Sequence, residues 1–224
     1  VNDWQSFLGD LAEQWPLLLT GLGQTVLLTV IISVTGLLGG IGVFYLGLSP
    51  RRWVRRFIDG YISFLIGMPL IVLLFLMYYG LPQWGIRVSP FAVAVLGFTF
   101  NVAAYNAAYL RTAYNGLDAS ELEAAAAQGF SHRQIFSLII LPQVLRLSVP
   151  ALTNQVILNL KDSTLAFLIQ YTEFFARVQE LASTNFQFFK AYAFAAVVYL
   201  ALVSVVVVAA RLLERRIVIP GSMR

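Results

Sequence analysis

Cysteine is absent from the 224 residues, and histidine occurs once, at His132. The first absence excludes disulfides, thiolate metal sites and a cysteine nucleophile; the second excludes any site built on a pair of histidines. Charge is scarce as well: 12% of residues are charged, against about 25% in soluble domains. No Gly-x-x-x-x-Gly-Lys-Ser/Thr sequence occurs, so the chain has no phosphate-binding loop of its own for a nucleotide. The N-terminal stretch has no Lys or Arg and carries Asp3, Asp10 and Glu13, the reverse of a signal-peptide n-region. What remains is apolar. Such residues make up 59% of the sequence, and the mean hydropathy is +0.77. A chain this poor in polar surface needs lipid as its solvent over much of its length.

A membrane-spanning helix takes about 20 mostly apolar residues. Five segments qualify: Leu19 to Gly47, Phe57 to Gly80, Pro90 to Tyr109, Pro150 to Gln170, and Tyr192 to Leu212. Gly67 and Pro69 fall inside the second, and Pro90 suits the first turn of the third. Trp4, Phe7, Leu11 and Trp15 recur at helical spacing ahead of the first, as in an interfacial helix. The excess of 15 Lys and Arg over 11 Asp and Glu matters through its placement, and it points to topology and a lipid surround, with no nucleic-acid partner. Arg51, Arg52, Arg55 and Arg56 follow the first segment, and Arg111, Arg133 and Arg146 follow the third. Arg211, Arg215, Arg216 and Arg224 end the chain, while Arg87 is alone in its loop. Basic loops alternate with poor ones, which predicts an all-α membrane protein forming one domain, with the N-terminus outside and the C-terminus cytoplasmic. The Arg51–Arg56 cluster also has the composition of a lipid-binding patch.

The connection between the third and fourth segments is long, from Leu110 to Val149, and helical in character. Asp118 with Glu121, or Ser120 with Glu123, suits a helix start. Ala124 to Ala127 favour helix, and Gly129 offers a stop. A second helical stretch from Ser131 to Ile140 is expected to end at Leu141-Pro142. A short helix, a glycine turn and a returning helix make a knob able to enter a cleft on a partner; a merely solvated amphipathic loop is the other reading.

The spacing Glu123-Ala124-Ala125, Gly129, Ile139 and Leu141-Pro142 resembles the EAA signature of ABC-importer permeases. The similarity extends along nearly the whole chain to the polar-amino-acid uptake group, through Gly23-Gln24-Thr25-Val26, Gly67-Met68-Pro69-Leu70, Tyr79-Gly80-Leu81-Pro82, Ala104-Tyr105 with Arg111, and Lys161-Asp162-Ser163-Thr164-Leu165. This resemblance implies five spans in a bacterial inner membrane and a coupling helix within residues 118–142. It also implies a partner ATPase dimer that holds ATP and magnesium, a second permease subunit, and an extracytoplasmic substrate-binding protein. Ile66 stands where the group usually has Arg, Ala108 where it often has Glu, and Ser120-Glu121 where Gly-Gln is common. The first two bear on the substrate path or on a heterodimeric partner.

Counted from Pro150, Asp162 lies about 18 Å along the fourth segment, near mid-membrane. A charge there costs roughly 2.5–3.5 kcal/mol. Gln155 and Asn159 precede it by seven and three positions and form a polar stripe with it. Two readings stand. The stripe is either a packing seam between helices or a substrate-lining face in which Asp162 receives a cationic group, with Asn101, Tyr105 and Asn106 as companions. A secondary transporter or channel would have no use for the Glu123 loop. An intramembrane aspartyl dyad would need an acid beside Asp162, and Asp59 is predicted at the membrane edge.

Overall fold

A computed structural model describes residues 4–217, with side chains described to Leu212; Asp3, Arg215, Arg216 and Arg224 lie outside these limits. All regular structure among the described residues is helical. Helix α1 is Trp4–Glu13, α2 Trp15–Gly47, α3 Arg52–Gly67, α4 Leu70–Phe75, α5 Pro90–Tyr114, α6 Ala119–Ala127, α7 His132–Gln134, α8 Leu141–Asp162, α9 Phe174–Asn185 and α10 Phe188–Ile217. Four helical stretches are long and apolar enough to cross a membrane: Trp15–Gly47, Pro90–Tyr114, His132–Ile169 and Phe188–Leu212. A further pair, Arg52–Gly67 and Leu70–Trp84, is bent by 101° at its break and makes a fifth if the two halves count as one span.

Two expectations need revising. The stretch read as one span from Phe57 to Gly80 is broken at Met68 and Pro69. Met68 is extended, and Pro69 supplies no N–H to continue α3. Leu141-Pro142, expected to end a helix, does not, and the fourth span starts at His132, well before Pro150. A π-helical turn, Ile135–Ile140, joins α7 to α8, and the Leu141 N–H bonds back to the Phe136 carbonyl. A wider turn of this kind absorbs a proline whose missing N–H would interrupt an ordinary α-helical ladder.

Helix α2 is the mast of the bundle, about 50 Å long at 1.5 Å per residue. Three buried apolar clusters sit along it. Leu18 joins Phe7 of α1 and Phe174, Val178 and Leu181 of α9 at its start. Leu28 and Ile32 meet Leu74, Val93, Phe98 and Ile169 in the middle. Phe44 meets Leu110, Ala125, Ile135 and Val144 near its end. Helix α5 approaches α2 along glycines: a Cβ on Gly36 would lie 2.4 Å from Val102 Cγ1, and one on Gly40 would lie 2.6 Å from Asn106 Cβ. Without a hydrophobic drive between helices in lipid, such small-residue seams supply the van der Waals contact. The Thr35 and Thr99 hydroxyls add a 2.7 Å hydrogen bond across the same seam.

At the opposite end α9 is clasped by one carboxylate. Glu173 is fully buried at the N-cap of α9 and accepts from the Phe175 and Ala176 amides at 2.9 and 2.8 Å. It also accepts from Thr25 Oγ1 of α2 at 2.9 Å and Tyr199 OH of α10 at 3.1 Å. Burial pushes this carboxyl above the ordinary range, against the hydrogen bonds that favour its ionised form. A carboxyl raised on folding stabilises fully below its unfolded value, and that contribution is lost as pH rises through its folded value. The melting temperature in detergent should therefore fall, relative to Glu173→Gln, as pH climbs above the ordinary carboxylate range. Parallel pH profiles for the two proteins would show that this group does not titrate on folding.

Candidate functional site

The break between α3 and α4 opens a cavity of about 460 Å³ lined by Ile66, Gly67, Met68, Pro69, Leu70, Asn101, Tyr105, Gln155, Leu158 and Asp162. Its walls come from three elements: the broken pair, α5 and α8. Asp162 is the one side chain among these that carries a formal charge at neutral pH. It is also the last residue of α8, where the chain tightens into a seven-residue 3-10 run, Ser163–Ile169. Such runs seldom exceed three or four residues, so the carboxylate stands at a change of helical pitch.

The polar stripe on α8 divides. Gln155 and Asp162 face the cavity together with Leu158, which lies between them at three- and four-residue spacing. Asn159, one position and about 100° further round, is buried instead toward α2. There its Nδ2 donates to Ser33 Oγ at 3.0 Å, and its Oδ1 accepts from Gln155 Nε2 at 3.0 Å. Tyr109 OH donates to Gln155 Oε1 at 3.3 Å. A polar relay thus runs from α5 through α8 to α2 and holds the Gln155 amide at the cavity wall. Asn101 donates from Nδ2 to the Leu65 carbonyl at 3.0 Å, satisfying a carbonyl that the end of α3 leaves without a helical partner. Asn106 is absent from the cavity: it is buried against Gly40, and no partner for its Oδ1 occurs among the described residues. Lys161 does not line the cavity either. Asp59, on α3, is ion-paired with Arg111 of α5 and is not part of this cavity. No group of three or more potential metal-ligating acids and histidines occurs among the described residues.

The connection after α5 forms a second feature. Asp118 is the N-cap of α6, accepting the Ser120 amide at 2.9 Å, and that bond holds its carboxyl below the ordinary range. Helix α6 carries Glu123, Ala124 and Ala125; the last is buried under the bundle, while Glu123 and Ala124 are exposed. Gly129 turns the chain at φ +86°, a left-handed conformation that favours glycine. Ser131 and Gln134 then close a capping box that starts the returning helix. Gln143 Nε2 donates to Glu121 Oε2 at 3.0 Å, tying α6 to α8. Leu141 and Pro142 therefore sit inside the rod that leads from this turn to the cavity.

A family model described as "Binding-protein-dependent transport system inner membrane component" matches residues 39–219. The chain belongs to that family. The permease is 38% identical to the "Probable amino-acid ABC transporter permease protein PatM" of Vibrio harveyi, over 84% of this chain and 85% of that protein. It is 32% identical to the corresponding YckA protein of Bacillus subtilis, over 91% and 90%. It is 31% identical to the "L-cystine transport system permease protein TcyB" of the same organism, over 93% and 90%. Among solved structures, one described as an amino acid ABC transporter with histidines superposes with a TM-score of 0.85 at 28% identity, covering 96% of this chain and 99% of that one. A methionine ABC transporter in an inward-facing conformation gives 0.76 at 19% identity, which speaks to the fold alone. The family suggested by the Glu123 loop is thus the family of the permease as a whole.

Ile66 and the Gly67/Pro69 break, both legible as bearing on the substrate path, do line the cavity, whereas Leu158 and the relay through Tyr109 and Ser33 were not legible from residue pattern. Nothing in a sequence announces which neighbour an amide will choose. The Gly67/Pro69 interruption is the signal for such a wall, since broken helices often border such cavities. Replacing Asn159 with Leu should cost about 1–3 kcal/mol by taking the partner from Ser33 Oγ and from Gln155 Nε2. Adding Ser33→Ala should cost less than the sum of the two changes. Detergent unfolding midpoints for the single and double variants measure both values, and strict additivity would argue against the relay.

Proposed function

We propose that this permease is the membrane-spanning subunit of an ABC importer for polar amino acids, with cationic ones favoured. The observation that carries the reading is the cavity at the α3–α4 break, where Asp162 contributes the sole formal charge beside the Gln155 and Asn101 amides and the Tyr105 ring. A carboxylate on a cavity wall attracts a cationic side chain or α-ammonium more strongly than one in bulk water does. The amino-acid and cystine transport for which the relatives are named supports an amino-acid cargo.

In this reading the N-terminus lies outside and the basic end of the bundle faces the cytoplasm. A substrate-binding protein delivers the amino acid to the outer loops. A dimer of partner ATPases, which supply ATP and magnesium, grips the exposed Glu123–Ala124 face of α6. A second permease subunit completes the aqueous path. ATPase closure moves α6, and the helix returning from Gly129 carries that motion toward Asp162, so that the cavity opens alternately to each side. The permease itself performs no hydrolysis.

Uptake of labelled arginine or lysine by vesicles containing the whole transporter tests the cargo reading. Asp162→Asn should lower it by at least about tenfold, the loss of a charge-assisted hydrogen bond. Unaltered kinetics would leave Asp162 a packing residue. Gly129→Val places a β-branched residue in a left-handed turn, a strain of about 1–3 kcal/mol. It should uncouple ATP hydrolysis from uptake while the affinity for the substrate-binding protein persists; normal uptake with a stably bound ATPase would contradict the coupling role.

A further inference from the structure

The first turns of α3 present two adjoining ridges of different chemistry. Arg52 and Arg56 stand four residues apart and are both exposed, with Arg51 exposed just before them. Trp53 and Phe57, also four apart, are 68% and 71% exposed, and Phe64 continues their ridge at 65%. The fourth arginine of the cluster is committed elsewhere: Arg55 Nη1 donates to the Ser49 carbonyl at 3.0 Å and ties down the α2–α3 turn. Among the described residues, no hydrogen bond or ion pair engages the guanidinium groups of Arg51, Arg52 and Arg56. Asp59, the acid on α3, is taken by Arg111, and Glu121 of α6 is engaged by Gln143.

We propose that this end of α3 is a binding surface for anionic phospholipid, with Arg51, Arg52 and Arg56 on the headgroup phosphates and Trp53 and Phe57 in the adjoining acyl region. Guanidinium groups match phosphate oxygens in fork geometry. An aromatic ridge beside a basic one at the start of an apolar segment is the pattern of a helix seated at the membrane interface. A second copy of this chain is a poorer occupant, because a two-fold arrangement would bring like-charged guanidinium groups together. The proposal is independent of the cargo, yet it reaches the cavity. The opposite end of the same half-helix supplies Ile66 and Gly67 to the cavity wall, so a lipid held at one end positions the other.

The test uses the permease purified with its co-expressed partners and exchanged into nanodiscs of phosphatidylglycerol and phosphatidylethanolamine in equal parts, with retained lipid read by native mass spectrometry. The ratio of anionic to zwitterionic lipid retained should fall by about fivefold for each guanidinium removed in R52Q, R56Q and R51Q/R52Q/R56Q, and the effect should fade with salt. R87Q, in the distant loop, should leave the ratio unchanged. An unaltered ratio in R52Q and R56Q would overturn the proposal whether or not the triple variant assembles. Loss of the second permease or of the ATPase with the lipid ratio preserved would overturn it too, and would assign the surface to a protein.

Discussion

In hydrocarbon a backbone carbonyl or amide has no water to fall back on, so an interrupted helix survives only where protein or an enclosed cavity meets its loose ends. That constraint governs the region around Met68. Proline at position 69 ends α3, Asn101 takes up the Leu65 carbonyl, and the chain bends through 101° before resuming. The space left by the bend is the cavity, and α5 has its Asn101 amide there because the break requires it. The same residue therefore serves stability and lines the site, which is why a polar side chain is retained at a position that is 7% exposed.

The rest of the bundle is arranged to hold that broken helix against a rigid background. Helix α2 runs past all three apolar clusters and meets α5 at glycine distance. At one end the Glu173 clasp fixes α9 to α2 and α10, and Gly21 allows the Phe174 backbone to approach closely, since a Cβ there would lie 3.0 Å from its Cα. At the other end α6 rests on the third cluster through Ala125. The cavity lies between these two packed ends.

Much of this was legible in the residues. Long apolar runs are the strongest signal a chain can carry, and the regularity of the Glu123 loop marked a special connection. Proline misled in one place and informed in another. Pro69 does break its helix, after an extended Met68, whereas Pro142 is absorbed by the π-turn that precedes it and Pro150 lies within α8 without ending it. The stripe on α8 was visible as a polar face, but a helix offers several neighbours. One step of 100° separates Leu158, on the cavity, from Asn159, bonded to Ser33. Glu173, in a stretch of mixed charge with Arg177, Glu180 and Lys190, carries no span or motif signal. Its signal was local: an acid directly before an aromatic helix start, able to cap two amides.

The helix that returns from the Gly129 turn has a consequence for how force travels. From His132 to Asp162 the chain is one continuous helical stretch, about 45 Å long at 1.5 Å per residue, with a π-turn and Pro150 within it but no extended link like the one at Met68. A jointed strut dissipates a push by folding at its joint. An unjointed one delivers it as rotation, and a tilt of about 10° over this length displaces the far end by about 8 Å, more than the width of an amino-acid side chain. In the coupling proposed above, the 101° bend where α3 and α4 meet would act as a hinge and the continuous run of α7 and α8 as a crankshaft, with a carboxylate mounted at its end.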